Sequence, residues 1–128
     1  MFTPKNMGTA LQPWEYLPAA AGTYKAGQLL NASGGKLAPV SAAATTTPTY
    51  LCMADITAID AQVIPVAAVV KNDIYVTHLS AEAADAKIGT KLQVSAGGLQ
   101  VDGSAAGSFE VTYLEDTAAG SEVCGRFH

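Results

Sequence analysis

The sequence predicts an all-β protein, a small barrel or sandwich of short antiparallel strands preceded by an extended N-terminal arm. Three observations carry that expectation. Lys91-Leu92-Gln93-Val94-Ser95 and Leu99-Gln100-Val101-Asp102 alternate apolar with polar residues, the period of a strand with one buried face, and Ala96-Gly97-Gly98 between them has the composition of a hairpin turn. Eight or nine segments of this kind follow one another at the ~8–12-residue spacing of an all-β domain. The first 22 residues break the pattern: they carry Pro4, Pro13 and Pro18 and show neither helical nor strand periodicity.

At 128 residues there is room for one domain and one modest core. The division expected is an arm over residues 1–22 and a β domain over 23–128. Proline fixes φ and removes a donor, so the arm is read as lying outside any sheet interior. Its Phe2, Trp14, Tyr16 and Leu17 are too apolar for a solvated tail and call for a surface to cover them. Two surfaces remain open on this reasoning: the arm's own domain, one end of which it would plug, or another subunit.

Thr23-Tyr24-Lys25 leads into an expected strand at Gln28–Asn31, and further strands are expected in Lys36–Val40, Tyr50–Ala54, Gln62–Val70, Ile74–Thr77, Ser108–Leu114 and Glu122–Phe127, besides the two of the hairpin. Ser33-Gly34-Gly35 and Asn72-Asp73 supply turns, and the tract Ser41–Pro48 reads as a surface loop. Asp55–Ala61 reads as a connector. Ser80–Ala86, alanine-rich with a serine cap and stopped at Gly89, is the one helix-like piece.

Charged residues make up 14% of the chain and the net charge is −4. Seven scattered cations do not form the basic surface that phosphate neutralisation requires, so no direct nucleic-acid partner is expected. The longest apolar stretch, Val63–Val70, contains Pro65 and is far short of the ~20 residues of a membrane span, so no membrane association is expected. The start, Met1-Phe2-Thr3-Pro4-Lys5-Asn6, lacks a basic segment followed by an apolar run, and synthesis in a cytoplasm is the expectation. In that compartment Cys52 and Cys124 are expected to be buried thiols rather than a disulfide.

His78 and His128 are too few and too far apart to join the cysteines in a zinc site. No Gly-x-Ser-x-Gly elbow accompanies His78, and Glu110, Glu115 and Asp116 read as solvated strand and turn acids rather than a glycosidase pair. Gly34-Gly35 and Gly97-Gly98 sit between strands, not ahead of a helix, and read as turns rather than phosphate loops. Asp55, Asp60, Glu82 and Asp85 do not reproduce a calcium loop. The expectation is a binding or structural protein with no enzyme activity, no metal and no cofactor.

Tyr24-Lys25-Ala26-Gly27-Gln28-Leu29-Leu30, then Gly35-Lys36-Leu37-Ala38-Pro39-Val40 and Tyr50-Leu51-Cys52-Met53-Ala54-Asp55, resemble the opening of head decoration (cement) proteins of tailed bacteriophages. Ile88-Gly89-Thr90-Lys91-Leu92 and Gly98-Leu99-Gln100-Val101 resemble later segments of the same proteins. The resemblance implies a β-rich homotrimer that binds the outer surface of an expanded capsid, with the major capsid protein as partner. It implies location on the virion after assembly in the host cytoplasm. On that reading Phe2, Trp14, Tyr16 and Leu17 are the capsid-binding residues. The competing expectations are a carbohydrate- or ligand-binding β-module and another phage structural component of the tail or neck.

Overall fold

The computed structural model describes residues 1–5, 14–40 and 46–128. Pro13 of the expected arm and residues 41–45 of the expected surface loop lie outside them. Among the described residues there is no helix, and thirteen strands follow in order: β1 Thr3–Pro4, β2 Glu15–Ala19, β3 Gly22–Tyr24, β4 Leu29–Ser33, β5 Lys36–Pro39, β6 Tyr50–Cys52, β7 Ile56–Ala58, β8 Gln62–Ala68, β9 Tyr75–His78, β10 Lys91–Val94, β11 Val101–Ala105, β12 Phe109–Leu114 and β13 Glu122–Phe127. The all-β expectation holds, as a barrel and sheets of short, mainly antiparallel strands.

Strands β2-β5-β4-β6-β8 close into a five-stranded barrel. Its interior holds Leu30, Leu37, Cys52, Ile64 and Val66, all under 5% exposed, with Tyr24 and Ala58 from the β3–β7 ribbon sealing one side. The second half forms a sheet in the order β1-β9-β13-β12-β10-β11. Leu79, the residue after β9, bridges Val101 of β11 in parallel, so this sheet also curls round on itself. Its core is aromatic: Phe109 and Phe127 stack edge to face at 5.2 Å, and Tyr75 meets Phe127 at 5.5 Å. Gly125 makes that possible, because a Cβ there would strike the Phe109 ring and the Glu110 carbonyl.

The two halves are copies of one unit. In the first barrel Leu17 pairs Ile64, Ala19 bridges Leu37 and Cys52 pairs Val66; in the second, Thr77 pairs Val123, Leu79 bridges Val101 and Val111 pairs Gly125. Bonds outside the ladders repeat as well. Ala20 N–H donates to Leu37 O at 2.9 Å and Ser80 N–H to Val101 O at 2.8 Å; Gly27 N–H donates to Cys52 O and Gly89 N–H to Val111 O, both at 2.8 Å. Lys25 N–H donates to Gln28 Oε1 at 3.0 Å and Lys87 N–H to Thr90 Oγ1 at 3.1 Å, each closing the turn that leads into β4 or β10. The glycines of those turns have φ of +86° at Gly27 and +90° at Gly89, a region where a Cβ is strained. Lys-x-Gly-x-x-Leu-x-x-Ser recurs from Lys25 and from Lys87, each time followed by a glycine pair.

Three expectations need correction. The described parts of residues 1–22 do not lie outside the sheets: β1 pairs β9, and β2 runs antiparallel to β8 over its whole length as a barrel strand. Prolines are tolerated there because of where their missing donors point. Ala20 N–H faces β5, so by strand alternation the nitrogen of Pro18 faces the same edge, away from the β8 ladder. The boundary at residue 22 therefore does not divide the molecule. Ser80–Ala86 is not helical; Ala83 N–H donates to Thr117 O at 2.9 Å, and the segment stands where the β3–β7 ribbon stands in the first barrel. Asp55–Ala61, expected as a connector, includes strand β7.

The glycine turn at 95–98 is more than a hairpin tip. Gly97 N–H donates to Val40 O at 2.6 Å, Gly97 O accepts from Gln28 Nε2 at 2.7 Å, and Leu29 N–H donates to Gly98 O at 2.8 Å. These bonds fasten the second barrel to the wall of the first, and Leu99 and Gln100 are consumed in the turn, so β11 starts only at Val101.

Candidate docking surface

The four expected capsid-binding residues fall in three different environments. Phe2 is 1% exposed, its ring 5.7 Å from Phe109 and 5.9 Å from Phe127, and it belongs to the core; it is withdrawn as a surface anchor. Leu17 pairs Ile64 on the inward face of β2 and packs against the barrel core. Trp14 and Tyr16 are exposed, at 51% and 64%.

Alternation explains the split. Leu17 and Ala19 of β2 turn inward, Leu17 opposite the buried Ile64, whereas Tyr16 stands opposite Pro65 and Pro18 opposite Val63, itself 54% exposed. Tyr16, Pro18, Val63 and Pro65 thus form an apolar strip on the outer wall of the first barrel, and the exposed Trp14 stands immediately before β2. With an aromatic side chain presenting ~150–250 Å² when fully open, Trp14 and Tyr16 alone leave roughly 200–300 Å² of ring surface in water. Adding Val63 and the prolines brings the strip to ~300–600 Å², the size of the largest apolar patch on a typical monomer, which is often functional.

Beside this strip a groove of about 610 Å³ opens at one end of the barrel, lined by Glu15, Thr46–Tyr50, Ala68, Val69, Lys71 and His128. Its floor is the half-buried Tyr50 beside Ala68, cross-strand partners on β6 and β8. Glu15 and Lys71 place one charge of each sign on its lining. The sequence reading did not single out this groove, because none of its residues forms a motif. The internal repeat is the signal that points to it, since Tyr50 and Ala68 are the counterparts of Phe109 and Phe127 in the second barrel.

Several of the ionisable groups considered as chemistry make structural contacts. Asp55 Oδ1 accepts from Ala26 N–H at 2.8 Å, Asp60 pairs with Lys36 at 2.7 Å, and Glu115 Oε1 accepts from Glu122 N–H at 3.0 Å. Glu110 lies 3.8 Å from Arg126 on the adjacent strand, and His78 is exposed opposite Glu122. Among the described residues no three His, Cys, Asp or Glu side chains gather as metal ligands. Cys52 and Cys124 are both free and buried, as the sequence led us to expect. Burial raises both thiols' pKa values; at Cys124 the Lys5 ammonium, 3.9 Å from Sγ, opposes that shift. Neither has the electropositive, accessible setting of a reactive cysteine. No helix among the described residues is long and apolar enough to cross a membrane.

A scan against protein-family models finds none that matches this chain, and no curated protein matches it in sequence.

Proposed function

We propose that this protein is a structural decoration protein that binds the outside of a phage capsid, as a homotrimer on the major capsid protein, and reinforces the shell. The observation that carries the reading is the apolar strip of Tyr16 and Val63 together with the exposed Trp14. Tyr16 and Val63 are held open to water on the wall of a hydrogen-bonded barrel, and Trp14 is exposed immediately before β2. Rigid, pre-positioned aromatic residues lose little conformational freedom on docking, which is the property of an interface anchor. The segments resembling cement proteins support the choice of partner, and repetition of a modest contact over a symmetric shell provides avidity that one copy lacks.

The test is co-sedimentation with expanded heads stripped of this protein, using wild type and a triple variant Trp14→Ser, Tyr16→Ser, Val63→Thr. These side chains are exposed, so the variant should keep its fold, checked by unchanged thermal unfolding within a few degrees. If the two aromatic residues each contribute about 1–2 kcal/mol, the variant's affinity for heads falls roughly 30- to 1000-fold. Equal occupancy by variant and wild type, or no binding by wild type, would overturn the reading.

A further inference from the structure

The internal repeat identifies an occupied site in one barrel and, among the described residues, an unpaired counterpart in the other. In the second barrel, β9 bridges β11 only through Leu79, and the gap left along the rest of β9 is filled by the chain's own first residues. Thr3 pairs Val76, Pro4 pairs Tyr75 and Lys5 N–H donates to Ile74 O at 2.8 Å, while Phe2 packs on Phe109 and Phe127. In the first barrel, β2 touches β5 only at Ala19, and the counterparts of Ile74, Tyr75 and Val76 are Trp14, Glu15 and Tyr16. Among the described residues no strand pairs with that edge of β2. The counterparts of Phe109 and Phe127 are Tyr50 and Ala68, and these two line the groove.

We propose that this seam of the first barrel is an acceptor site for an extended segment of another protein, which adds as a short strand along β2 and places a bulky apolar side chain in the groove over Tyr50 and Ala68. Three features select such an occupant. Alternation from Ala20 turns the N–H and C=O of Tyr16 toward the open edge, the groups that Val76 presents to β1. Ala68 in place of Phe127 leaves room for a ring beside Tyr50. Glu15 and Lys71 on the lining offer partners to the polar backbone of an incoming segment. The donor is not a second copy of the chain's first residues, because each copy has its own Phe2 buried in its second barrel. Only the identification of the donor as the capsid protein rests on the proposed function; the acceptor geometry does not.

The probe is a synthetic peptide copying residues 1–6, Met-Phe-Thr-Pro-Lys-Asn, the sequence the chain uses at the counterpart site. It is titrated into ¹⁵N-labelled full-length protein to about 2 mM, a concentration that detects affinities near the millimolar level. Saturable amide shifts are expected at Tyr16, Tyr50, Ala68 and Lys71, and a peptide with Phe2→Ser should bind at least tenfold more weakly. Ala68→Phe, which installs the counterpart residue and fills the groove, should weaken peptide binding at least tenfold. Tyr16→Pro, which removes the edge donor and leaves the β8 ladder intact, should do the same and serves if Ala68→Phe does not fold. Absence of saturable shifts, shifts confined to β9, or affinities unaffected by the folded variants would overturn the proposal. Head binding by a protein that ignores the peptide would sink only the acceptor site, and peptide binding by a protein that ignores heads would sink only the shell reading.

Discussion

Replacing Phe2 with alanine separates a core residue from a docking residue. Phe2 sits at the end of the chain yet is 1% exposed, in ring contact with Phe109 and Phe127, and its N–H donates to Gly27 O at 2.8 Å. Burying a phenylalanine contributes about 1.5–3 kcal/mol by transfer, and each aromatic pair adds ~0.5–1.5 kcal/mol. Those terms place Phe2→Ala near the ~3–5 kcal/mol found for such truncations in cores. A chain end relaxes more readily than a mid-strand position, so the low end, about 3 kcal/mol, is the working figure. For a domain of this size that is a fall in Tm of roughly 10–15 °C. Urea unfolding should show a lower midpoint with an unchanged slope, the sign that stability and not the denatured state has changed. A loss under about 1 kcal/mol would mean that β1 and Phe2 are not part of the folded core, and the occupied-site half of the acceptor argument would go with them.

Gly27→Ala and Gly89→Ala should differ although their φ angles match. Gly89 has open space where a Cβ would go, so only the left-handed backbone resists, at about 1 kcal/mol, whereas a Cβ at Gly27 would lie 2.9 Å from both Met1 Cβ and Phe2 O. Equal losses in urea would show that Phe2 does not close over Gly27. Both thiols should resist a disulfide-exchange reagent until the protein is unfolded, and reductant should leave Tm unchanged; a drop of several degrees with reductant would reveal a disulfide. Stability should fall as pH rises past about 9. Burial raises the pKa values of Cys52, Cys124, Tyr24 and Tyr75, so the unfolded chain releases protons from the ordinary values of 9.0 and 10.0 while the folded chain holds them, and deprotonation favours unfolding. A urea midpoint that is flat or rising between pH 8 and about 10.5 would contradict this.

Much of the fold could be read from the sequence because its signals are local. Alternation in Lys91–Val94 and Phe109–Leu114, and the positive-φ glycines at 34–35 and 97–98, act through neighbours a few residues away. What escaped depends on distant partners. Pro4 and Pro18 argue against a strand unless the side to which their missing donors face is known, and that side is set by β9, β8 and β5. The alanine-rich run at 80–86 has helical propensity but makes its bonds to Thr117 and Ala83, in a place fixed by the surrounding barrel. Of the residues expected at the surface, Trp14 and Tyr16 are exposed and Phe2 and Leu17 face inward, a division fixed by strand register rather than by residue type. The repeat was present throughout as Lys-x-Gly-x-x-Leu-x-x-Ser with a glycine pair after it. Four shared positions among glycine-rich turns do not stand out until the hydrogen bonds are seen to repeat as well.

Duplication explains why one half of this molecule is suited to bind and the other to hold itself together. Two barrels each closed through a single parallel pair leave two short seams, and an open strand edge invites pairing with any extended chain. The second seam is closed from within by β1, with Phe2 as its plug. The first would promote aggregation if it were long and flat, and it is neither: Pro18 presents no donor, and beyond it Ala20 is already bonded to Leu37. Among the described residues the open stretch is Trp14–Tyr16, enough for a few residues of a partner. On the proposed reading, a short seam beside an apolar strip on a rigid wall selects a short segment in one register, which suits attachment to a fixed lattice.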